Sequence, residues 1–199
     1  IIRIATDYGV APIMLISTLG ENGAFSNELA SLLLNNTEAQ NVLIDNIIEN
    51  MRAKGYKGLD IDFEYVFPED KDNYVQFVSS LTQSLNAEGF FVMTALAPKT
   101  SSEQKGLLYE AHDYNALGAA SNAVLIMTYE WGYTYGPPMA VAPINNVRRV
   151  VEYAVTQIPN DKIFMGIPFY GYDWTLPFVQ GSKARSMGSG TAVNIARRT

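Results

Sequence analysis

The chain has 199 residues, 48% of them hydrophobic and 17% charged, with a formal net charge of −6. That composition supports a sizeable core within one-domain range, and the acidic balance argues against nucleic acid as a partner, because phosphate binding needs clustered Lys and Arg. The absence of Cys excludes disulfides and thiolate chemistry, the single histidine, His112, argues against a Ser-His-Asp triad or a multi-histidine zinc site, and no apolar run is long enough to span a membrane.

In chain order, Ile1 to Ala5 followed by Tyr8-Gly9 reads as the end of a helix. Pro12 to Leu19 is a short apolar run stopped by Gly20, as in a buried strand. Thr37-Glu38-Ala39-Gln40 has the form of a capping box, and Leu43, Ile44, Ile47, Ile48 and Met51 give a helical stripe that should stop at Gly55. A strand follows from about Gly58 to Tyr65. Pro68-Glu69-Asp70 opens a helix with Tyr74, Phe77, Val78, Leu81 and Leu85 on one face, ended by Gly89. Phe90 to Ala97 is a strand closed by Pro98, and a helix around Gly106 to Ala116 carries His112, read as a hydrogen-bonded packing residue. Ala123 to Glu130 is a strand, Asn145 to Ile158 a helix, and Lys162 to Tyr170 the final strand. Gly181, Gly188 and Gly190 mark loop-like sequence, Thr191 to Arg198 a short helix, and Lys183, Arg185, Arg197 and Arg198 a solvated basic tail.

Strands recurring every ~30–45 residues with helices between them predict parallel βαβ units. A doubly wound sheet would carry a glycine-rich phosphate loop after an early strand, and the sequence has none. The polar and aromatic residues instead gather at the C-terminal ends of strands, at Glu64-Tyr65, Tyr129-Glu130-Trp131 and Tyr170 to Trp174, where barrel enzymes place their sites. The predicted class is therefore α/β, a (β/α)8 TIM barrel.

The segment richest in chemistry is the strand in which Asp60, Asp62 and Glu64 alternate with Leu59, Ile61 and Phe63. Side chains alternate across a strand, so the three carboxylates share one face and the apolar trio the other. Like charges this close raise the pKa of at least one member, and a carboxyl held protonated near neutrality is what a general acid needs. A solvated acidic face is the competing reading; an acidic cation site fits less well, because a strand sets ligands in a row rather than around an ion. Trp131, Tyr133, Tyr135, Tyr172 and Trp174 read equally as core aromatics or as platforms for pyranose rings. Met93 and Met127, at strand positions, read as barrel filling. Neither metal nor cofactor is expected.

At these residues a resemblance becomes specific. Gly58-Leu59-Asp60-Ile61-Asp62-Phe63-Glu64 resembles the D-G-x-D-x-D-x-E signature of family 18 glycoside hydrolases, the chitinase-like barrels, where it forms the fourth strand. Met127-Thr128-Tyr129-Glu130 resembles that family's M-T-Y-D on the sixth strand, and Gly166 to Gly171 its G-I-P-F-Y-G on the seventh. The longer runs G-Y-K-G-L-D-I-D-F-E-Y-V-F-P-E-D, A-L-A-P-K, L-L-Y-E-A-H-D-Y and M-T-Y-E-W-G resemble the spore-cortex-lytic N-acetylglucosaminidases within it. The resemblance implies retaining, substrate-assisted hydrolysis, the family's exception to the two-carboxylate rule. It makes Glu64 the general acid, Asp62 the acceptor of the substrate's acetamide N–H, Asp60 a partner sharing a proton with Asp62, and Tyr129 a donor to the acetamide oxygen. Glu130, Trp131, Met93, Met127, Tyr170, Tyr172 and Trp174 become the substrate-binding set. The implied partner is an N-acetylglucosamine-containing polysaccharide, either cortex peptidoglycan or chitin, acted on at the spore or cell envelope, with room for cell-wall-binding modules elsewhere in a longer chain. A catalytically dead sugar-binding relative is the reading from another class, and retention of Glu64 and Asp62 speaks against it.

Departures from the family pattern are local. Lys57 stands in place of the signature's first Asp, Glu130 in place of the usual Asp, and Tyr172 where many chitinases have Arg. By the motifs, the five recognised strands are the third to seventh of eight, whereas a closed barrel takes ~250 residues. Residues 1–199 are thus expected to form the central part of one catalytic barrel within a longer chain, with apolar strand edges that would associate if left open.

Overall fold

The computed structural model describes residues 1–198. Helix α1 (Ile2–Asp7) leads into five strands, β1 (Ile13–Ser17), β2 (Gly58–Asp62), β3 (Phe91–Leu96), β4 (Ala123–Ile126) and β5 (Ile163–Met165). They lie side by side in sequence order, every neighbouring pair parallel. Helices α2 (Asn27–Leu34) and α3 (Thr37–Lys54) cross from β1 to β2, α4 (Lys71–Ala87) to β3, α5 (Tyr114–Ala120) to β4 and α6 (Ile144–Gln157) to β5. A doubly wound sheet reverses its strand order at a switch point; here the order only advances, as in a barrel wall. An antiparallel hairpin, β6 (Tyr170–Asp173) and β7 (Arg185–Gly188), and helix α7 (Ser189–Ala196) follow. No helix among the described residues is long and apolar enough to cross a membrane.

The alternation on β2 decides which way the sheet faces. Leu59, Ile61 and Phe63 are almost wholly buried against the helices, and the Phe63 ring is stacked 5.8 Å from both Tyr74 and Phe77 of α4. Val92, Leu96, Val124 and Ile126 extend the same core. The opposite face carries Asp60, Asp62 and Met93, all only partly buried. The sheet's two outer strands bear exposed apolar residues, Leu15 on β1 at 55% and Phe164 on β5 at 52%.

Several element boundaries differ from expectation. The N-cap of α3 is Asn36, whose side chain accepts the Ala39 N–H at 3.0 Å, while Gln40 reaches back to the Leu33 and Leu34 carbonyls rather than closing a box. Gly55 ends that helix as expected, in the left-handed conformation at φ 80° that favours glycine. Helix α2 is additional to the expected elements, and Ser26 caps it, accepting the Leu29 N–H at 3.1 Å. The helix expected around Gly106 to Ala116 begins only at Tyr114, because Asp113 caps it through the Ala116 N–H and the preceding residues turn, with Glu110 bonded to the Gly106 N–H. His112 therefore sits between a turn and the helix rather than within the helix. The last parallel strand stops at Met165; Pro168 has no N–H to offer a ladder, and Tyr170 opens the hairpin instead. Lys183 and Arg185 belong to that hairpin and not to a tail: Arg185 pairs with Asp173, and the Lys183 ammonium lies 5.2 Å from the Tyr135 ring centre. The C-terminal helix starts two residues early, at Ser189.

Candidate active site

Strand β2 delivers its acids in a row toward the C-terminal end of the sheet, Asp60 deepest, Asp62 at the last strand position and Glu64 just beyond. All three carboxyls are raised. Burial lifts Asp60 to about 6, with the charge of Asp62 adding to it. Burial also lifts Glu64, to about 7, helped by Asp62 and Glu130, and raises Asp62 itself. Glu64 thus carries a transferable proton for much of the time at neutrality. The Oδ1 atoms of Asp60 and Asp62 are buried without a hydrogen-bond partner. The charge of Asp62 couples the two carboxyls. No group of three His, Cys, Asp or Glu among the described residues could hold a metal ion.

The end of β4 supplies the next groups. Thr128 donates its hydroxyl to the Gly166 carbonyl at 2.7 Å, pinning the β4 and β5 ends together, and Tyr129 follows with its ring edge-on to Tyr170, 6.4 Å between centres. Burial, with the charges of Asp62 and Glu64, holds the Tyr129 phenol above its ordinary pKa, so it remains a donor. Glu130 has φ 70° and Tyr65 has φ 56°. Both are non-glycine residues in the left-handed region, each directly after a residue expected to act, and such strain persists where surrounding structure holds it. Glu130 accepts the hydroxyl of Tyr170 on Oε2 and that of Tyr172 on Oε1, the latter at 2.5 Å. Burial and that carboxylate push the Tyr172 phenol up to about 12. The hairpin is thereby latched across the β4 loop. Trp174 extends the latch, 5.9 Å from Tyr172 and donating Nε1–H to the Gly136 carbonyl at 2.9 Å.

These elements enclose a cleft of about 830 Å³ walled by Glu64, Met127, Tyr129, Glu130, Trp131, Tyr170 and Tyr172, together with Tyr65, Pro98, Leu108, Tyr109, Tyr133 and Ser186. Of the expected substrate-binding set, Met93 and Trp174 are not in its walls: Met93 pairs with Asp60 below it, and Trp174 serves the hairpin. Asp60 and Asp62 are likewise not among the residues that wall it. Tyr65 and Tyr133 were visible as aromatics beside strand ends. Leu108, Tyr109 and Ser186 lie in a turn and a hairpin whose approach to the sheet has no local signature.

Gly166 tests the β4–β5 junction. A Cβ there would fall 2.7 Å from Cε1 of Tyr129 and 2.9 Å from the Ile126 carbonyl oxygen. Gly166→Ala is therefore expected to displace the Tyr129 ring and to cost roughly 10–100-fold in turnover, the scale of a 1 Å misplacement. Comparing kcat with the melting temperature would separate that displacement from general destabilisation; unchanged kcat would show that the ring position does not matter.

The comparisons with known proteins agree with this geometry. Residues 12–192 match the family described as Glycosyl hydrolases family 18. The chain is 46% identical over 196 residues to the cortical fragment-lytic enzyme of Bacillus subtilis (strain 168), covering 98% of this chain and 46% of that protein. It superimposes on the crystal structure of the Bacillus cereus spore cortex-lytic enzyme SleL with a TM-score of 0.92 at 44% identity, covering 98% of this chain and 45% of that one. A chitinase from Chromobacterium violaceum ATCC 12472 superimposes with a TM-score of 0.88 at 27% identity, over 98% of this chain and 60% of the other. The chain thus spans less than half the length of the spore relatives. With a match running through all five parallel strands and the acidic row, it belongs to the family 18 glycosyl hydrolases.

Proposed function

We propose that residues 1–199 form part of the catalytic barrel of a retaining glycosidase that cleaves N-acetylglucosamine linkages in peptidoglycan, with spore cortex as the substrate and the spore envelope as the place of action. The observation that carries this reading is the Glu64 carboxyl, raised to about 7 and standing in the wall of the cleft beside Tyr129. Protonated Glu64 gives its proton to the glycosidic oxygen as the anomeric carbon–oxygen bond breaks. The carbonyl oxygen of the substrate's own 2-acetamido group attacks that carbon and closes an oxazolinium ring, so no side chain becomes covalently attached. Asp62 accepts the acetamide N–H and balances its growing positive charge, and the Tyr129 hydroxyl donates to the acetamide oxygen. The Glu64 carboxylate then takes a proton from water, which opens the ring from the face the leaving group vacated and restores the original configuration.

The resemblance of nearly half the positions to cortical fragment-lytic enzymes favours cortex as substrate. The likeness to a chitinase keeps chitooligosaccharides as the second reading, with the same chemistry in a different groove. The deciding experiment is release of reducing ends by the intact protein from purified cortex fragments and from chitooligosaccharides. Faster release from cortex is expected, the opposite order would install the second reading, and release from neither would end both. Tyr129→Phe should lower kcat more than it raises KM, since its hydrogen bond strengthens as the oxygen takes up charge; an effect confined to KM would remove that role. A thiazoline mimic of the oxazolinium should inhibit.

A further inference from the structure

His112 has no part in the chemistry above, yet it is 1% exposed and bonded to the residue that precedes Glu64. Its Nδ1 accepts the Ala97 N–H at 2.8 Å, which leaves Nε2 as the protonated nitrogen of a neutral ring, and Nε2–H donates to the Phe63 carbonyl at 3.0 Å. Burial holds the imidazole down to about 4, so this tautomer persists through the neutral range. Both of its partners lie just past the sheet. The last pairing of β2 with β3 is Ile61 with Thr94, and β3 ends at Leu96. One ring therefore satisfies a carbonyl and an N–H that the strands no longer bond.

The ring is itself held. Lys99 Nζ donates to the His112 carbonyl at 3.0 Å, and the Tyr114 hydroxyl donates to the Ala97 carbonyl at 2.6 Å while accepting the Lys99 N–H at 2.9 Å. On the other side the Phe63 ring is stacked on Tyr74 and Phe77. Side chain and carbonyl of Phe63 are thus both fixed. That carbonyl belongs to the peptide joining Phe63 to Glu64, so its direction sets the plane from which the Glu64 side chain departs.

We propose that His112 is a positioning residue for Glu64: its Nε2–H bond fixes the Phe63–Glu64 peptide plane and so aims the Glu64 carboxyl into the cleft. The role rests on Glu64 being the acid of the proposed reaction. Without the bond the plane is free to turn toward another donor, and an error near 0.5 Å or 10–20° is enough to spoil a catalytic constellation.

Two substitutions in the intact protein separate positioning from packing. The terminal amide nitrogen of H112Q reaches the place of Nε2 and keeps the bond to Phe63; H112N reaches only the place of Nδ1, keeping the Ala97 bond and leaving the Phe63 carbonyl unpaired. Each loses one buried bond, so similar falls in melting temperature are expected. Turnover should part them: a loss of roughly 10-fold or more in kcat for H112N with KM nearly unchanged, against kcat within about 3-fold of wild type for H112Q. Crystal structures of the two variants read the geometry without substrate, with the Glu64 carboxyl displaced in H112N and unmoved in H112Q. Equal kcat in the two, or an unmoved carboxyl in both, would overturn the proposal. If H112N does not fold, H112Q decides alone: kcat retained supports the Nε2 bond, and a folded variant with kcat lost 10-fold overturns it. A wild type that hydrolyses no glycan, with the carboxyl still displaced only in H112N, would end the proposed reaction and leave the positioning intact.

Discussion

Glu64→Gln is expected to abolish turnover, by on the order of 10²–10⁴-fold or more, while leaving the fold and glycan binding in place. The amide keeps the shape of the side chain and removes the transferable proton. A second effect has the opposite sign. Glu64 is raised from its ordinary 4.5 to about 7 by burial and by the charges of Asp62 and Glu130, so the folded state holds this proton more tightly than the unfolded chain does. The stability this supplies is complete below the unfolded value of 4.5 and is lost as pH climbs through about 7. Gln has no charge to bury, so the variant should melt higher than wild type at about pH 8, by on the order of 1–3 kcal/mol, and lose that advantage toward about pH 4. Kinetics and calorimetry on one preparation check both effects. Wild-type turnover would end the assignment of the acid, and a lower melting temperature at alkaline pH would show that the ionised carboxylate has a stabilising partner.

Asp62→Asn should be nearly as damaging, about 10²–10³-fold, for two separable reasons. The acetamide loses the carboxylate that balances its charge, and Glu64 loses one of the two charges that raise it. The alkaline limb of the pH–rate profile should accordingly move to lower pH. Asp60→Asn should cost about 10-fold or less, because Asp60 lies two residues deeper and acts through Asp62, whose charge adds to the burial that raises it. Its signature is a changed pH profile more than a lost rate. Profiles of kcat/KM for both variants would check this, and an unaltered profile for Asp60→Asn would remove the coupling.

Most of the sheet and the acidic row were legible because strand periodicity is a property of the backbone itself. Wherever Leu59, Ile61 and Phe63 pack on helices, Asp60 and Asp62 must face the other way, and no distant contact can change that parity. The stripes of α3 and α4 and the stop at Gly55 followed from equally short-range rules. Reading failed where a polar residue had two local uses. Asn36 outcompeted Thr37 as a cap, and Asp113 caps a helix three residues before the expected end, Ala116, of the helix read from the apolar pattern.

The rest was decided by residues far apart in sequence. Glu130 meets Tyr170 and Tyr172 across about 40 positions, and His112 reaches Phe63 across 49. Neither approach leaves a trace in local propensity, because each depends on where β4, the hairpin and the turn after β3 come to lie against the sheet. The left-handed conformations of Tyr65 and Glu130 likewise run against intrinsic preference and are held by their surroundings. The sequence alone determined the order of the strands, the face that bears the acids and the family they indicate, since these rest on backbone period and short motifs. Only the tertiary structure decided how far each carboxyl is raised, because desolvation and charge proximity are set by the neighbours that folding brings in.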